Sequence, residues 1–296
     1  MYTIAVIADS QIPDRPCRDL LQAIKKSGHN AKYIPISRIS VVVDGENVEL
    51  RLREVKLQVD GAFLRSIGFL IDLEQFIRRL TVLRLLEESG AIVLNPLEGF
   101  LKSRSKLETV VELARRGIPV PRTVCTEDLY YAYVCCKEMS EFVLKPIQGS
   151  RGFGAVKLSD PDIAFQVMKT LLSYKKPLYV QKFVPKPGRD IRALVIDGEV
   201  FACMYRIAPE GSWKTNIAQG GRGTVCEKVE PELRELAIKA TEALGLVYAG
   251  VDIGEGPSGY VVFEVNGSPD WRELAQVTSK NPAERLVEVI ISRIKR

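Results

Sequence analysis

The segment DIRALVIDGEVFACMYRI, residues 190–207, constrains the fold of this chain more than any other. Two runs of alternating apolar residues flank Asp197 and Gly198, and this dipeptide between such runs is typical of a two-residue β-turn. The segment therefore predicts an antiparallel hairpin. A second hairpin is predicted for YAGVDIGEGPSGYVVFEVN. A helix over residues 231–244 is predicted between the two hairpins, and helical segments follow the second one.

The first hundred residues follow a different pattern, in which short β runs alternate with helical periodicity. The predicted strands cover residues 3–8, 31–34, 61–64 and 91–94, and the predicted helices cover residues 18–26 and 73–88. This rhythm indicates a small open βαβ sheet, interrupted by a hairpin in VVVDGENVEL. The residues after the first strand, ADSQIPD, lack G-x-G-x-x-G, so a dinucleotide-binding Rossmann domain lacks its phosphate turn.

The middle of the chain predicts a small α+β unit. KSRSKLETVVELARRG predicts one helix over residues 102–117 with Gly117 as its C-cap. A helix over 127–138, strands over 142–145 and 155–158, a helix over 160–174 and a strand over 178–183 follow. We therefore expect an α/β (α+β) protein with three domains, at residues 1–98, 99–182 and 183–296.

Composition narrows the function classes. The chain has 296 residues, 46% of them hydrophobic and 27% charged, as in ordinary globular proteins. No apolar stretch is long enough to cross a bilayer and no basic leader precedes the first strand, so we expect a cytoplasmic protein. The net charge of +5 is spread along the chain, which suits anionic small molecules and makes a weak case for nucleic acid.

Cysteine and histidine usage excludes several kinds of site. The six cysteines are scattered and none lies in a C-x-x-C pair, which argues against a zinc site and a disulfide framework and favours free thiols. His29 is the only histidine, so a His-rich metal site is excluded and any Ser-His or Cys-His pair would have to use it. We expect His29 to be a turn residue.

The stretch EFVLKPIQGSRGFGAVKL places three glycines between two predicted strands. Lys145 precedes the glycines, whereas the lysine of a P-loop follows them and begins a helix. The segment therefore predicts a strand–loop–strand flap. Its glycines allow backbone N–H groups to approach a phosphate, with Lys145 beside it. A loose hairpin loop without a ligand fits the segment equally well.

Period-two alternation in the second hairpin predicts an acidic face opposite an apolar one. The side chains of Asp252, Glu264 and Asn266 share the polar face of this prediction, and they offer the oxygen ligands that Mg²⁺ prefers when it also holds phosphates. The alternative is a solvated polar face. The alternation places Val247, Ala249 and Val251 opposite Asp252 in the first strand, and Val261, Phe263 and Val265 opposite Val262, Glu264 and Asn266 in the second.

Cationic residues lie on and after the first hairpin. Arg192 and Arg206 are on its strands, Lys214 lies in the loop APEGSWKTNIAQGGRG, and Asp190 shares a face with Arg192. Guanidinium groups facing a phosphate centre stabilise charge that develops in phosphoryl or acyl transfer. Surface ion pairs are the alternative interpretation of the same residues.

Together these segments resemble the ATP-grasp ligases, and in particular their RimK-type branch. The resemblance rests on KPIQGSRGFG, VQKFVPKPGRDIRALVIDGEV, WKTNIAQGG, AGVDI and FEVNGSPDW, in that order. It covers residues 102–296 and, more weakly, the first hundred. It implies an ATP-grasp fold, with an N-terminal open βαβ domain followed by two α+β lobes that sandwich ATP.

The resemblance also implies roles for individual residues. The residues implied for ATP are Lys106, Lys145, Gly149, Ser150, Gly152, Gly154, Gln181, Lys182, Phe183, Val184, Asp190, Lys214 and Asn216. The residues implied to hold two Mg²⁺ or Mn²⁺ ions are Asp252, Glu264 and Asn266. Arg192 and Arg206 are implied in catalysis, and the residues implied to bind the substrate are Arg65, Asn216 and Ser268. Lys182 stands where many relatives carry Glu, which puts a side-chain contact to adenine in doubt.

The implied activity is ATP-dependent amide formation through an acyl phosphate. The implied substrates are small molecules, and a homo-oligomer is compatible with the resemblance. Within this branch, two segments are most similar to archaeal α-L-glutamate ligases that extend tetrahydromethanopterin: NGSPDWRELAQVTSKNPAERLVEVI and MYRIAPEGSWKTNIAQGG. Other acceptors are open: a deazaflavin coenzyme, a ribosomal protein tail, or an amino-group carrier protein of lysine or arginine biosynthesis. A catalytically silent ATP-binding regulator is the alternative from another class.

Overall fold

The computed structural model describes residues 1–69, 71–149 and 152–295. Its N-terminal part holds a parallel sheet in the order β2-β1-β6-β7 and a separate three-stranded sheet β3-β4-β5. The elements are β1 (Thr3–Ala8), α1 (Arg15–Lys26), β2 (Asn30–Pro35), β3 (Ile39–Asp44), β4 (Asn47–Leu52), β5 (Val55–Lys56), β6 (Gly61–Leu64), α2 (Leu73–Glu88) and β7 (Ile92–Leu94). The predicted open βαβ sheet and its interrupting hairpin are confirmed.

Helix α1 begins three residues earlier than the periodicity predicts. Asp14 caps it, accepting a hydrogen bond from the Cys17 amide at 2.9 Å, and Pro16 lies in its first turn. Proline is tolerated there because the first amides of a helix have no partner within it. These two residues therefore extend the helix ahead of the apolar periodicity that begins at Leu20.

The helix predicted over residues 102–117 is wrong, because two helices meet in that segment. They are α3 (Leu97–Arg104) and α4 (Lys106–Arg115). Ser105 between them has an extended backbone, and its hydroxyl accepts a hydrogen bond from the Glu108 amide at 3.1 Å. Serine favours this N-cap position over a helix interior. Lys106 is consequently the first residue of a new helix.

The middle of the chain forms an antiparallel sheet in the order β10-β9-β11-β8, covered by two helices. The elements are β8 (Thr123–Thr126), α5 (Leu129–Met139), β9 (Phe142–Leu144), β10 (Val156–Leu158), α6 (Pro161–Ser173) and β11 (Leu178–Lys182). The strand–loop–strand prediction is confirmed, since β9 and β10 pair with the glycine loop between them.

The C-terminal part is a five-stranded antiparallel sheet in the order β14-β13-β12-β15-β16. Asp197 and Gly198 turn β12 into β13 with φ values of +51° and +80°, as a primed hairpin turn requires. Both predicted hairpins are confirmed. The elements are β12 (Arg189–Ile196), β13 (Glu199–Ile207), β14 (Arg222–Val225), α7 (Pro231–Ala243), β15 (Tyr248–Gly256), β16 (Gly259–Asn266), α8 (Arg272–Thr278) and α9 (Ala283–Ile294).

Buried polar contacts join the N-terminal sheet to the C-terminal one. Asn95 follows β7 and is fully buried. Its amide donates to the carbonyls of Tyr248 and Gly267, and its oxygen accepts from the amides of Val247 and Tyr248. The Trp271 indole donates to Asp19 of α1 at 3.2 Å. These contacts fix the ends of β15 and β16 against the N-terminal sheet.

The predicted domain boundaries at residues 98 and 182 fall within α3 and at the end of β11, and the three-domain division stays a prediction. Every cysteine is a free thiol, as predicted. Within residues 1–69, 71–149 and 152–295, no helix is both long and apolar enough to cross a membrane.

Candidate active site

One face of the C-terminal sheet carries a row of charged side chains. Strand register places Asp190 opposite Arg206, Arg192 opposite Asp252, and Asp252 opposite Glu264. The opposite face of the same strands packs into an apolar core that includes Ile191, Ala193, Val251 and Ile253. The sheet therefore gathers residues that lie far apart in sequence into a single polar surface, as the alternation predicts.

Asp190 is the centre of a buried network on this face. Arg206 donates to both of its carboxylate oxygens, at 2.7 and 3.0 Å, and Lys186 and Thr215 also contact it. Burial disfavours the Asp190 carboxylate, but the positive charges of Arg206 and Lys186 outweigh burial and hold its pKa below the usual range. Asp190 therefore stays ionised and orients the two cations.

Asp252 joins the two arginines of the row. Arg192 donates to both of its oxygens, and the Arg206 guanidinium lies 3.0 Å from Oδ2. Burial opposes the charge of Arg206, but Asp252 and Asp190 more than compensate and raise its pKa. Arg206 is thus a permanently charged and rigidly held donor group.

The predicted alternation in β16 is wrong on the N-terminal side of Glu264. Asp252 pairs with Glu264, but Ile253 pairs with Val262, so Phe263 is an extra residue in a β-bulge. The bulge changes the phase of the strand. Val262 joins Val265 in the core, and Phe263 lines the same cleft as Glu264.

The middle sheet faces this row across a cleft, which is lined by Lys145, directly after β9, and by Lys106 at the start of α4. Lys145 donates to Gln181 at 2.7 Å, and burial lowers its pKa to about 8, partly opposed by Glu264. Lys106 donates to the Gly149 carbonyl at 2.6 Å and lies 3.7 Å from the Glu264 carboxylate. The break in the helix at Ser105 is what brings Lys106 to this position.

The glycine loop contacts the loop that follows β13. A Cβ atom at Gly152 would lie 2.5 Å from the Asn216 side-chain oxygen, and φ of Gly152 is +74°. Lys214 donates to the Gly152 carbonyl at 3.2 Å. Only glycine fits this close approach without displacing Asn216. The predicted residue Ser150 lies outside the described residues.

The cleft between the two sheets has a charged end and an apolar end. Its lining includes six basic side chains and three carboxylates, so three positive charges are surplus. Such a surplus suits a polyphosphate. Several apolar residues line this cleft but not the cavity beside it, and we call their side the apolar end; they include Val143, Phe153, Phe183, Val184, Trp213 and Phe263. An apolar slot beside a cationic end matches the two halves of a nucleotide.

A second, adjoining cavity extends from the charged end toward the N-terminal sheet. Gly149, Arg206, Asn216, Asp252 and Glu264 line both cavities and mark where they meet. The second cavity is also lined by the predicted residues Arg65, Arg192, Asn266 and Ser268. A molecule bound there would reach the charged end of the first cleft, which is the arrangement that transfer between two substrates requires.

The metal prediction fits the donor set. Asp252, Glu264 and Asn266 supply two carboxylates and an amide from adjacent strands, all oxygen donors of the kind Mg²⁺ prefers beside phosphates. Within the described residues, no cluster of three or more His, Cys, Asp or Glu side chains is placed to hold a metal ion. Oxygens from a bound phosphate would therefore have to complete the coordination.

Most predicted site residues line the two cavities. The predicted residues that line the first are Lys106, Lys145, Gly149, Gly152, Gln181, Lys182, Phe183, Val184, Asp190, Arg206, Lys214, Asn216, Asp252 and Glu264. Gly154 lines neither cavity among the described residues; a Cβ atom there would meet Pro146 at 3.2 Å. The sequence interpretation missed Lys186, Phe263, Trp213 and Thr215, although Lys186 is four residues before Asp190 in the quoted motif.

Comparison with known proteins identifies the architecture. The sequence model of the RimK-like ATP-grasp domain matches residues 103–290. The chain belongs to the RimK-like ATP-grasp family. The predicted fold and the ligase class are thereby confirmed.

Relatives with assigned names cover nearly the whole of this RimK-like chain. The tetrahydromethanopterin:α-L-glutamate ligase of Methanocaldococcus jannaschii is 38% identical, with 95% of this chain and 96% of the relative covered. The enzyme of the same name from Methanosarcina acetivorans is 30% identical, with 96% and 97% covered. An α-aminoadipate–LysW ligase, LysX, of Sulfolobus acidocaldarius is 33% identical, with 94% and 98% covered.

Solved structures agree with the RimK-like fold. The ATP-grasp ligase PsnB, complexed with a minimal precursor, superposes with a TM-score of 0.78 at 21% identity, with 98% of each chain covered. A complex of PsnB with its precursor, Mg and ADP gives a TM-score of 0.74 at 21% identity, with 99% of this chain and 98% of PsnB covered. At this identity the likeness concerns the fold.

Proposed function

We propose that the protein joins the amino group of L-glutamate to a carboxylate of tetrahydromethanopterin, with cleavage of ATP to ADP and phosphate. The observation that carries the proposal is the 38% identity to the M. jannaschii ligase across both chains. The two adjoining cavities, one suited to a nucleotide and the other open to a second substrate, are consistent with it.

ATP would lie in the first cleft, with its base at the apolar end and its phosphates at the charged end. Lys106, Lys145 and Lys214 would contact the phosphates, and Gly152 would cover them. Gln181 orients Lys145, and Asp190 orients Lys186. The segment from Gln181 to Val184 would hold the base. In this arrangement the γ-phosphate faces the second cavity, where the acceptor carboxylate approaches.

The reaction begins when the acceptor carboxylate attacks the γ-phosphorus of ATP, which forms an acyl phosphate and releases ADP. Arg192 and Arg206 would then stabilise the negative charge on the transferring phosphoryl group and on the acyl oxygen. The glutamate amine attacks the acyl carbon and phosphate leaves, which forms the amide. Closure of the glycine loop onto Asn216 would keep water from the acyl phosphate.

Asp252, Glu264 and Asn266 would hold Mg²⁺, which when bound supplies neutralising charge to the phosphates. Arg192 and Arg206 hold the Asp252 carboxylate in position. Two ions, Mn²⁺ in place of Mg²⁺, a homo-oligomer and a cytoplasmic location are further parts of the proposal. Metal titration of turnover, light scattering and cell fractionation test them.

A second acceptor class has specific support. LysX, 33% identical over most of both chains, is named for an amino-group carrier protein, LysW. The test is mass spectrometry of products formed from ATP, Mg²⁺ and L-glutamate with tetrahydromethanopterin or with purified LysW. We expect a glutamyl adduct of the pterin, with equimolar ADP. An adduct of the carrier alone would assign the second class, and no adduct with either would refute both.

A further inference from the structure

Five arginines line the second cavity, and three of them are neutralised by carboxylates. Arg192 pairs with Asp252, Arg206 pairs with Asp190 as well as Asp252, and Arg272 contacts Asp270 at 2.6 Å. Because these three arginines are paired with carboxylates, they offer little uncompensated positive charge to a second anionic ligand. The remaining two arginines differ, because neither makes an ion pair with any described residue.

Arg65 is the first of the unpaired arginines. It directly follows β6 and is only 8% exposed. Its guanidinium lies 4.5 Å from the Trp271 ring and donates from Nη2 to the Pro269 carbonyl at 2.8 Å. Its Nε and Nη1 atoms are buried and have no acceptor among the described residues.

Arg104, the last residue of α3, is the second. It donates from Nη2 to the Gly68 carbonyl at 2.8 Å, while its Nε is buried and has no acceptor among the described residues. Burial lowers the pKa of Arg104, with Asp9 opposing this effect only from a distance. Gly68 follows Arg65 by three residues, so both arginines lie at the end of β6.

Arg65 is buried and Arg104 is half-buried with its Nε out of solvent, and neither guanidinium makes an ion pair with a described residue. Such groups are unfavourable unless an anion completes the site. Backbone carbonyls satisfy one donor of each group, but they carry no compensating charge. A carboxylate accepts two hydrogen bonds from one guanidinium in its plane, and it would supply both the missing acceptors and the missing charge. In the proposed function the phosphates would lie beside Arg192 and Arg206, away from Arg65 and Arg104.

We propose that Arg65 and Arg104 bind a carboxylate of the substrates that is not phosphorylated, and that Arg104 thereby determines specificity for dicarboxylic substrates. The proposal rests on the proposed function. The carboxylate belongs either to L-glutamate, which keeps both of its own, or to a second acidic group of the acceptor. Either source would hold its molecule across the cavity with the reacting group at the phosphate end.

The test compares Arg104→Met with Arg272→Met, which removes a cation of the same cavity that is already paired with Asp270. We expect Arg104→Met to raise the KM of either glutamate or the acceptor about 10- to 100-fold, as for loss of a charged hydrogen-bond donor, with the KM of ATP unchanged. The substrate whose KM rises identifies the source of the carboxylate. Arg272→Met should change each KM less than about threefold, since its charge is compensated.

A binding measurement separates this proposal from the proposed function. Isothermal titration of the protein with glutarate, in the presence of Mg-ADP, should show binding that is stronger than that of valerate and that Arg104→Met abolishes. If Arg104→Met folds poorly, Arg104→Lys replaces it in the test. Lysine keeps the charge but not the paired donors, so we expect this variant to bind glutarate with intermediate affinity. The proposal would be overturned if the wild type and both Arg104 variants bound glutarate with equal affinity, or if none of the three proteins bound glutarate. Absence of any amide product with intact glutarate binding would instead refute the proposed function.

Discussion

Gly254 offers a sharp test of the nucleotide cleft, because an added methyl group would collide with the ring that lines it. A Cβ atom at Gly254 would lie 2.3 Å from Cε2 and 2.6 Å from Cζ of Phe263. The glycine is in β15, two residues after Asp252, so its Cβ atom points to the charged face of the sheet. In Gly254→Ala the Phe263 ring must therefore move, and we expect it to move into the cleft.

The size of the effect follows from the overlap. Overpacking of this kind costs about 1–3 kcal/mol, and each 1.4 kcal/mol changes an equilibrium constant about tenfold. If the whole cost falls on ligand binding, the Kd of Mg-ADP rises about 5- to 150-fold. If part of it falls on the fold, the Tm decreases and the change in Kd is smaller.

The assay is calorimetric titration with Mg-ADP, together with thermal unfolding of the same samples. Gly254→Ala/Phe263→Leu is the matched control, since the smaller side chain leaves room for the methyl group. We expect the double variant to recover most of the affinity lost in Gly254→Ala. Unchanged Kd and Tm in Gly254→Ala, or a double variant no better than the single one, would refute the assignment of Phe263 to the nucleotide cleft.

Three further predictions test the charged end. The pKa of Lys145 is lowered to about 8, so about half of the molecules carry a neutral amine at pH 8. Phosphates should raise this pKa, and nucleotide binding should take up as much as about half a proton at pH 8 and almost none at pH 6. Calorimetry in buffers of different ionisation enthalpy measures the uptake, and the same uptake in Lys145→Met would contradict it. Gly152→Ala should raise the KM of ATP about tenfold or more, because its φ of +74° and the Asn216 contact at 2.5 Å both exclude a Cβ atom; wild-type kinetics would show that the loop does not cover the phosphates. Glu264→Gln should lower turnover about 100-fold and raise the Mg²⁺ concentration needed for half-maximal rate, with an unchanged Tm, whereas wild-type Mg²⁺ dependence would remove Glu264 from the metal site.

Local turn chemistry and strand alternation predict both C-terminal hairpins and the polar face of the sheet, whereas the ATP-grasp arrangement of the lobes is predicted from the resemblance to the RimK-type ligases. Asp197 and Gly198 join β12 to β13, and this hairpin places Asp190 opposite Arg206. Arg192 lies opposite Asp252 because β12 also pairs with β15, which the turn does not determine. The alternation therefore predicts that Asp190 and Arg192 share the polar face of their strand, and the predicted hairpin adds Arg206 to that face. The resemblance to the RimK-type ligases adds the roles of these residues, and the structure adds their contacts.

The errors arise where one residue changes the local geometry. An extra residue in a strand has no signature in the alternation of apolar residues, so the alternation predicts Phe263 in the core and Val262 on the polar face. Ser105 is compatible with a helix interior by periodicity, but its N-cap bond divides the helix and sets the position of Lys106. Lys186 lies between prolines in a loop, where periodicity carries no information about which side chains meet.

The central claim is that a substrate carboxylate takes the γ-phosphoryl group of ATP before an amine displaces it. The most direct measurement uses acceptor labelled with oxygen-18 in its carboxylate, together with ATP, Mg²⁺ and L-glutamate, and determines the isotope content of the released phosphate by mass spectrometry. We predict one labelled oxygen in each phosphate released, in step with amide formation. Unlabelled phosphate accompanying the amide product would contradict the acyl phosphate.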